Sequence, residues 1–323
     1  MRSTASSASR IPRFRIPGPL RTALRAGFVT ILLGFTSCDR PAAAFEGKRA
    51  FGWLKQQCDF GPRVPGTAAH DTCFAFLVKT LQGYASEVEA DTFYYDSPIL
   101  NSRVRLMNVV ARFRPELRQR VLFGAHWDTR PWADRDPEPA KRRLPVLGAN
   151  DGASGVAVLL ELARLLQKSG PLVGVDIVLF DGEDLGTQAD PNGYFRGSNR
   201  YVEESSGQKP PLFVVVLDMV GKKDLDLHWE GNSRKLASNI VDLVWGQAND
   251  LGIRSFRSDV RHTVFDDHMP FLNAGIPAID VIDFDYPQWH TTHDTPDKCS
   301  PESLEGVGQV LLTLVRKPNF LSN

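Results

Sequence analysis

The sequence predicts an α/β fold: a single domain with a central mixed, mostly parallel twisted sheet flanked by helices. Apolar segments of strand length alternate with segments in which apolar residues recur every three or four positions. The strand-like segments are apolar almost throughout, which is typical of parallel strands that helices cover on both faces. The 323 residues are enough for one large domain with a substantial core, and no internal repeat is visible.

The predicted elements begin with a helix over 69–84, where apolar residues have helical spacing. Two strands follow at 104–113 and 120–125, and we expect the early strands to add an antiparallel part to the sheet. The stretch 128–147 is rich in proline and charge and is predicted to be irregular. A helix over 153–167 comes next, because its apolar residues share one face: Val156, Leu159, Leu160, Ala163 and Leu166.

The second half of the sequence continues the alternation. The runs VGVDIVLFD at 173–181 and LFVVVLDM at 212–219 are apolar and β-branched, as buried strands are. The remaining predicted elements are a helical stretch near 197–205, strand-like 224–229, a long amphipathic helix at 233–251, strand 276–282 and a closing helix at 301–316.

Charge and composition exclude several classes of protein. Lysine plus arginine and aspartate plus glutamate both number 38, so the formal net charge is zero and nothing in it indicates nucleic acid as a partner. Hydrophobic residues make up 42% and charged residues 24%, which are ordinary fractions for a soluble globular protein. Intrinsic disorder, collagen-like repeats and a polytopic membrane protein are therefore excluded.

Residues 1–38 are predicted to be a signal peptide, with two alternatives for its processing. The first 25 residues contain six arginines and no acidic residue, and the apolar run 26–35 is too short to span a bilayer stably. Cys38 follows two small residues, which resembles the lipid-carrying cysteine of bacterial lipoproteins; simple cleavage near 42–44 is the alternative. The catalytic domain is then 39–323, in an exported protein that is periplasmic or anchored as a lipoprotein facing the periplasm or exterior.

Export affects the interpretation of the cysteines. Cys58 and Cys73 flank a turn-rich stretch, and in an oxidising compartment we expect them to form a disulfide. Such a loop would contribute about 3 kcal/mol in the chain-entropy model. The alternative is two buried free thiols, and Cys299 has no obvious partner.

Acidic and histidine residues gather where predicted strands end or helices begin. Each alone has an ordinary structural explanation, such as a helix cap for Asp151 or a turn residue for Asp218. Ligands of open α/β sheets lie beyond the carboxyl ends of the strands, so the joint pattern indicates a site. Carboxylates with imidazoles suit Zn²⁺, and of two adjacent acids one can bind metal while its neighbour moves protons. The residues concerned are His126, Asp128, Asp151, Glu183, Asp184, Asp218, Asp266, Asp267 and His290.

Six segments resemble the signatures of zinc-dependent aminopeptidases and of their relatives, the glutaminyl-peptide cyclotransferases (glutaminyl cyclases). Their order and spacing match across about 50–318, and together they are far more specific than one motif. The family implies a central mixed sheet with zinc at its carboxyl edge. The segments are GAHWD at 124–128, GANDGASG at 148–155, FDGED at 180–184, DMVG at 218–221, DDHMPF at 266–271 and WHT at 289–291.

The resemblance assigns a role to each matching residue. It implies that Glu183 is the general base and acid, with Asp218 and Asp266 in an acidic hydrogen-bond network beside the metal. One zinc is expected, and a second stays open through His126 and Asp218, with Asp151 bridging. The implied zinc ligands are Asp151, Asp184 and His290, and the implied substrate-pocket residues are Trp289 and His126; His268 and His293 are interpreted as structural.

Two enzymatic activities of these related families are compatible with the sequence. Asp266, Trp289 and the loop RPWADRDP at 130–137 resemble the bacterial members of the animal-type cyclases, although Asp184 stands where animal cyclases carry Glu. We therefore predict a glutaminyl-peptide cyclotransferase that acts on peptides or proteins with N-terminal Gln. A zinc-dependent aminopeptidase is the alternative, and a non-catalytic binding ectodomain is disfavoured because the metal ligands and Glu183 are intact.

Overall fold

The structure, a computed structural model, describes residues 14–17 and 43–321. Its strands are β1 (Phe14–Pro17), β2 (Glu87–Ser97), β3 (Ser102–Phe113), β4 (Arg120–His126), β5 (Gly174–Phe180), β6 (Val214–Asp218), β7 (Leu227–Glu230), β8 (Phe256–His262) and β9 (Ala278–Ile282). Its α-helices are α1 (Gly47–Asp59), α2 (Ala68–Gln82), α3 (Ala153–Lys168), α4 (Arg196–Glu204), α5 (Gly231–Leu236), α6 (Ser238–Asp250), α7 (Met269–Asn273) and α8 (Pro301–Arg316).

The main sheet has seven strands in the order β1-β2-β3-β5-β4-β6-β9. Strand β4 pairs in parallel with β5 and β6, and β6 pairs in parallel with β9. The pairs β1–β2, β2–β3 and β3–β5 are antiparallel. The predicted mixed sheet is thus confirmed, with a parallel half and an antiparallel half built from the early strands. A separate parallel pair joins β7 and β8.

Helices cover both faces of the sheet, so its central strands are apolar almost throughout. Phe123 and Val215 belong to the cluster beneath α1, α3, α6 and α8. Their neighbours Leu122 and Val214 belong to the cluster on the opposite face, where Phe271 of α7 packs. This alternation follows from the two-residue period of a strand.

Helix α3 lies close against the sheet at the end that carries the candidate site. A Cβ added to Gly155 would lie 2.3 Å from the carbonyl oxygen of Leu217, so only glycine allows this approach. The first fourteen residues of α3 are buried, including Leu159. Truncating such a leucine to alanine typically costs about 2–5 kcal/mol. The packing of α3 therefore fixes the position of Asp151, which lies just before the helix.

The structure differs from the sequence prediction in several elements. The predicted helix 233–251 is two helices, α5 and α6, because Ala237 between them has φ −140° and ψ 42°. Helix α1 and strands β2 and β8 had no predicted counterpart. Most residues of β8 are exposed, so its sequence FRSDVRH carries little apolar signal.

The predicted disulfide is wrong: Cys58 and Cys73 are free and buried, as is Cys299. Cys58 on α1 and Cys73 on α2 pack as small apolar side chains within the main core. Burial raises the pKa of Cys58 to about 11 and that of Cys73 to about 12. A core of this size is stable without a disulfide between the two helices.

The signal-peptide prediction falls largely outside the described residues, and so does Cys38. Strand β1 is the described part of the segment 1–38, and it pairs with β2 at the sheet edge. Between residues 43 and 321 and in 14–17, no helix has the length and apolarity needed to cross a bilayer.

Candidate active site

The candidate site lies beyond the carboxyl ends of the parallel strands, as predicted for an open α/β sheet. His126 is the last residue of β4 and Asp218 is the last residue of β6. Glu183 and Asp184 follow β5, and His290 lies in the loop after β9. Together with Asp151, which lies just before α3, five chain-distant segments thus bring their polar side chains together at one edge.

Asp151, Asp184 and His290 form one group that can hold a metal ion. One ligand atom from each residue lies within 4.8 Å of the other two, and all three residues are buried. The Nε2 atom of His290 is 3.3 Å from Oδ1 of Asp184 and 3.7 Å from Oδ2 of Asp151. The Oδ2 atoms of both aspartates are buried without a hydrogen-bond donor, which is costly unless a cation compensates them. This oxygen and nitrogen donor set fits Zn²⁺.

His126, Asp151 and Asp218 form a second group that shares Asp151 with the first. The Nε2 atom of His126 is 3.1 Å from Oδ1 of Asp151 and 3.2 Å from Oδ1 of Asp218. His126 is 1% exposed and does not line the cavity, in contrast to the expectation that it would contact substrate. It lies behind the aspartates and holds them.

Two further aspartates orient the backbone that carries the metal-ligand candidates. Asp128 accepts hydrogen bonds from the N–H groups of Glu183 (3.1 Å) and Asp184 (3.3 Å). Asp294 accepts from the N–H group of Asp151 at 3.1 Å and from the Tyr286 hydroxyl at 2.7 Å. Both carboxylates are fully buried. They therefore fix the two loops on either side of the first group.

Arg130 contacts the site directly, and the sequence analysis did not single it out. Its Nη1 donates to Oδ1 of Asp184 at 3.0 Å, and its Nε donates to Asp134 at 2.7 Å. Burial alone would raise the pKa of Asp184, but His290 and Arg130 lower that pKa below its ordinary range. The signal that could have found Arg130 is its place two residues after Asp128, inside a loop that follows a predicted strand end.

Glu183, Asp218 and Asp266 line the same cavity as the first group. Desolvation at the bottom of the cavity and the charge of Asp184 raise the pKa of Glu183 well above its ordinary value. Burial, together with the charges of Asp218 and Asp267, does the same to the pKa of Asp266. The three carboxylates that the sequence analysis assigned to catalysis are thus brought together.

The cavity has a volume of about 890 Å³, and its lining combines these carboxylates, which form an acidic wall, with aromatic side chains. Trp289 packs on Phe284 with ring centroids 4.8 Å apart and on His290 with centroids 4.0 Å apart. Phe265 at the rim is 72% exposed. The other apolar or aromatic lining residues are Ala189, Pro191, Tyr194, Phe195, Val264 and Ile282.

The local backbone explains three of the signature residues. A Cβ on Gly152 would lie 2.6 Å from the carbonyl oxygen of His126, so glycine is required where this loop passes β4. Gly182, just before Glu183, has φ +74°, which favours glycine. His290 itself has φ +56°, a strained conformation for a residue with a side chain, of the kind that clusters at functional sites.

Comparison with known proteins gives consistent matches. Residues 108–315 match the family model of peptidase family M28. A glutaminyl cyclase from Bacteroides thetaiotaomicron, solved with bound N-acetylhistamine, is 34% identical with a TM-score of 0.82, over 85% of this chain and 99% of that one. A Zn-dependent exopeptidase from Parabacteroides distasonis is 33% identical with a TM-score of 0.82, at the same coverage. The glutaminyl-peptide cyclotransferase of Gloydius blomhoffii is 26% identical over 291 residues, 78% of this chain and 76% of that protein.

Proposed function

The chain belongs to peptidase family M28, and from that premise we propose that it is a glutaminyl-peptide cyclotransferase, an acyltransferase. It would convert the N-terminal Gln of peptides or proteins to pyroglutamate with release of ammonia. The observation that carries this proposal is the arrangement of Glu183 beside Asp151, Asp184 and His290 in one cavity, with Asp266 in its wall. The likeness to the Bacteroides thetaiotaomicron glutaminyl cyclase supports the choice among family members.

The reaction explains why a carboxylate must move protons in this cavity. The α-amine of Gln attacks its own side-chain amide carbon, so a ring C–N bond forms and the C–NH₂ bond breaks. The attacking amine loses a proton and the departing ammonia gains one. We assign this transfer to Glu183, which faces the cavity beside Asp184. Zinc held by Asp151, Asp184 and His290 would act as a Lewis acid toward the γ-carbonyl oxygen.

Asp266 and Asp218 complete the acidic wall of the cavity in this proposal. Asp218 accepts a hydrogen bond from His126, which also holds Asp151, so the wall and the metal group are one connected unit. Asp267, next to Asp266, accepts from the Ser198 hydroxyl at 2.5 Å. We propose that this network keeps Asp266 positioned to orient Glu183 during proton transfer.

The aromatic walls suit a substrate that folds back on itself. Cyclisation requires the amine to approach the amide carbon of the same residue, and an enclosed pocket favours such a conformer. Trp289 offers a flat apolar surface beside His290, and Phe284 supports it from behind. An apolar wall also favours the uncharged amine, which is the nucleophilic form.

A zinc-dependent aminopeptidase is the second candidate, because His126, Asp151 and Asp218 form a second group that can hold a metal. Hydrolysis of a peptide bond needs an activated water, whereas the cyclase nucleophile is already part of the substrate. The exopeptidase of Parabacteroides distasonis is as similar to this chain as the cyclase is. The two candidates differ in their product, so one assay separates them.

The test is a side-by-side assay on Gln-Ala-NH₂ and Leu-Ala-NH₂. We expect ammonia and a product 17 Da lighter (one ammonia lost, a mass-spectrometric readout) from the Gln peptide, with no free leucine from the Leu peptide. Free leucine without cyclised Gln would establish the peptidase and overturn the proposal. Spontaneous cyclisation is measured in parallel without enzyme.

We further propose that residues 1–38 direct export, and that Cys38 carries a lipid anchor in the mature protein. The arginine-rich start and the short apolar run 26–35 support this. The protein would then be found in a membrane fraction with its catalytic domain facing the periplasm or the exterior. A Cys38→Ala variant should move to the soluble fraction, and an unchanged distribution would exclude the anchor.

A further inference from the structure

A cationic side chain lies at the cavity mouth, next to the wall that leads to the candidate metal ligands. The Cζ atom of Arg135 is 4.6 Å from the centroid of the Trp289 ring, and the same tryptophan packs on His290. Arg135 is exposed and lines the cavity. Its guanidinium therefore stands two ring contacts away from His290 of the candidate metal group.

The other charges of the cavity mouth are already paired, and Arg135 is not. Asp134 is held by Arg130 at 2.7 and 3.1 Å and is 3.4 Å from His290. Arg130 in turn contacts Asp184. Among the residues that the structure describes, no carboxylate forms an ion pair with Arg135. A guanidinium that is always charged and lacks an internal partner is available to an anion from outside.

The loop around Arg135 is fixed before any ligand arrives. The Arg135 N–H donates to the carbonyl oxygen of His290 at 3.1 Å. The next residue, Asp136, accepts from the N–H (2.9 Å) and hydroxyl (2.6 Å) groups of Thr292. These bonds tie the loop to the segment that carries His290, and stacking on Trp289 orients the guanidinium. Such preorganisation lowers the entropy cost of binding.

The size of the cavity leaves room for more than the N-terminal residue. A volume of about 890 Å³ lies at the upper end of the range for pockets that enclose drug-sized ligands. An extended peptide advances roughly 3.3–3.6 Å per residue. With Gln at the metal group, two contacts of 4.6 and 4.0 Å away from Arg135, we infer that the second or third residue of the substrate would lie near Arg135.

We propose that Arg135 is a specificity-determining residue that recognises a carboxylate side chain at the second or third position of the substrate. Gln-initiated peptides with Asp or Glu at these positions are then preferred over peptides with Lys or Arg. The inference rests on the proposed function, since it names the substrate class of the same site. Because the contact lies away from the reacting atoms, it stabilises substrate and transition state alike and changes KM more than kcat.

The experiment compares amidated peptides Gln-Xaa-Ala-NH₂ and Gln-Ala-Xaa-NH₂ with Xaa as Glu, Gln or Lys. For an ion pair at a partly exposed rim we expect kcat/KM for Glu to exceed that for Lys by roughly threefold to tenfold in at least one series. The preference should shrink as salt is added, because the Debye length falls. It should disappear in Arg135→Gln, persist in Arg135→Lys and reverse in Arg135→Glu.

Two controls keep the outcomes distinct. Arg143→Gln removes the same charge from an exposed residue of the same loop that does not line the cavity, so it should keep the preference. Leu-Xaa-Ala-NH₂ peptides are assayed in parallel, so the charge preference is measured whichever reaction the enzyme performs. Failure of the proposed function appears as no turnover of the neutral Gln peptide. Equal kcat/KM for Glu and Lys peptides, or a preference that Arg135→Gln retains, would overturn the inference.

Discussion

Replacing Arg130 with methionine should destabilise the fold, and most strongly when no metal is bound. The Arg130 side chain is 3% exposed and its Nη1 donates to Oδ1 of Asp184 at 3.0 Å. The same Nη1 lies 3.2 Å from the carbonyl oxygens of Asp184 and Gly186. Its Nε and Nη2 hold Asp134 at 2.7 and 3.1 Å. Methionine preserves most of the apolar stem of arginine but donates no hydrogen bond.

The expected loss in the free energy of unfolding depends on which partners remain for each oxygen atom that Arg130 contacts. Breaking a buried ion pair costs about 3–5 kcal/mol, and the low end of this range applies because Asp184 keeps His290 at 3.3 Å. The Asp134 side chain is 43% exposed, so water replaces its partner and the added cost is below about 1 kcal/mol. The carbonyl oxygens share one donor and together lose about 1 kcal/mol. The free energy of unfolding should therefore fall by about 4 kcal/mol, a large part of the roughly 5–15 kcal/mol of a typical domain.

Urea denaturation of wild type and Arg130→Met, with chelator and with saturating Zn²⁺, measures this loss. The loss should be smaller with Zn²⁺, because a cation bound by Asp184 also compensates its carboxylate. Arg143→Met, on the exposed part of the same loop, should stay within about 0.5 kcal/mol of wild type. A loss below about 1 kcal/mol in chelator would refute the assigned role of the Arg130 contacts. Equal losses with and without Zn²⁺ would refute its link to the metal group.

Three further predictions concern the chemistry. Glu183→Gln should keep its zinc while kcat falls by roughly 10²–10⁴-fold, the usual size of a general acid–base contribution; loss of zinc would instead make Glu183 a ligand. Asp266→Ser should slow ammonia release from a Gln peptide at least about tenfold, or about 1.4 kcal/mol in the barrier, with Leu-peptide hydrolysis assayed in parallel; unchanged rates would leave Asp266 a structural carboxylate. A heterocyclic chelator should abolish turnover, and Zn²⁺ should restore it. Metal analysis should give one zinc per chain. Full activity of protein verified to be metal-free would contradict a metal site.

The parallel half of the fold could be predicted because its strands are buried on both faces. Strands such as β5 and β6 contain only buried residues, so their sequences are apolar apart from one aspartate each. Strand β2 has a mixture of buried and partly exposed positions, and β8 is almost wholly exposed. Such strands are stabilised by hydrogen bonds to the backbone of neighbouring strands. Their pattern of apolar residues therefore does not reveal them. The break at Ala237 likewise interrupts a stretch whose apolar spacing predicted one helix.

The site could be predicted to the extent that it follows from topology. Asp151, Asp184 and His290 lie beyond strand ends or before a helix, and parallel strands bring those ends to one edge. Arg130 reaches Asp184 only through the conformation of an irregular loop, for which periodicity carries no information. The family resemblance implied that His126 lines the pocket, whereas in the structure it does not line the cavity. Which side chain faces the cavity and which stands behind it depends on rotamers that sequence spacing does not determine.

The hydrogen-bond pattern around Asp151 favours a cation in the first group. Its Oδ1 faces His126 Nε2 at 3.1 Å, and the same nitrogen is 3.2 Å from Asp218, so imidazole and carboxylates satisfy one another in the second group. Its Oδ2 is buried without a donor, and so is Oδ2 of Asp184. Both of these uncompensated oxygens belong to the first group, which also contains His290 Nε2. A zinc ion there would compensate both oxygens. In the proposed cyclase reaction the nucleophile is an amine of the substrate, so the chemistry requires no second metal to prepare a water.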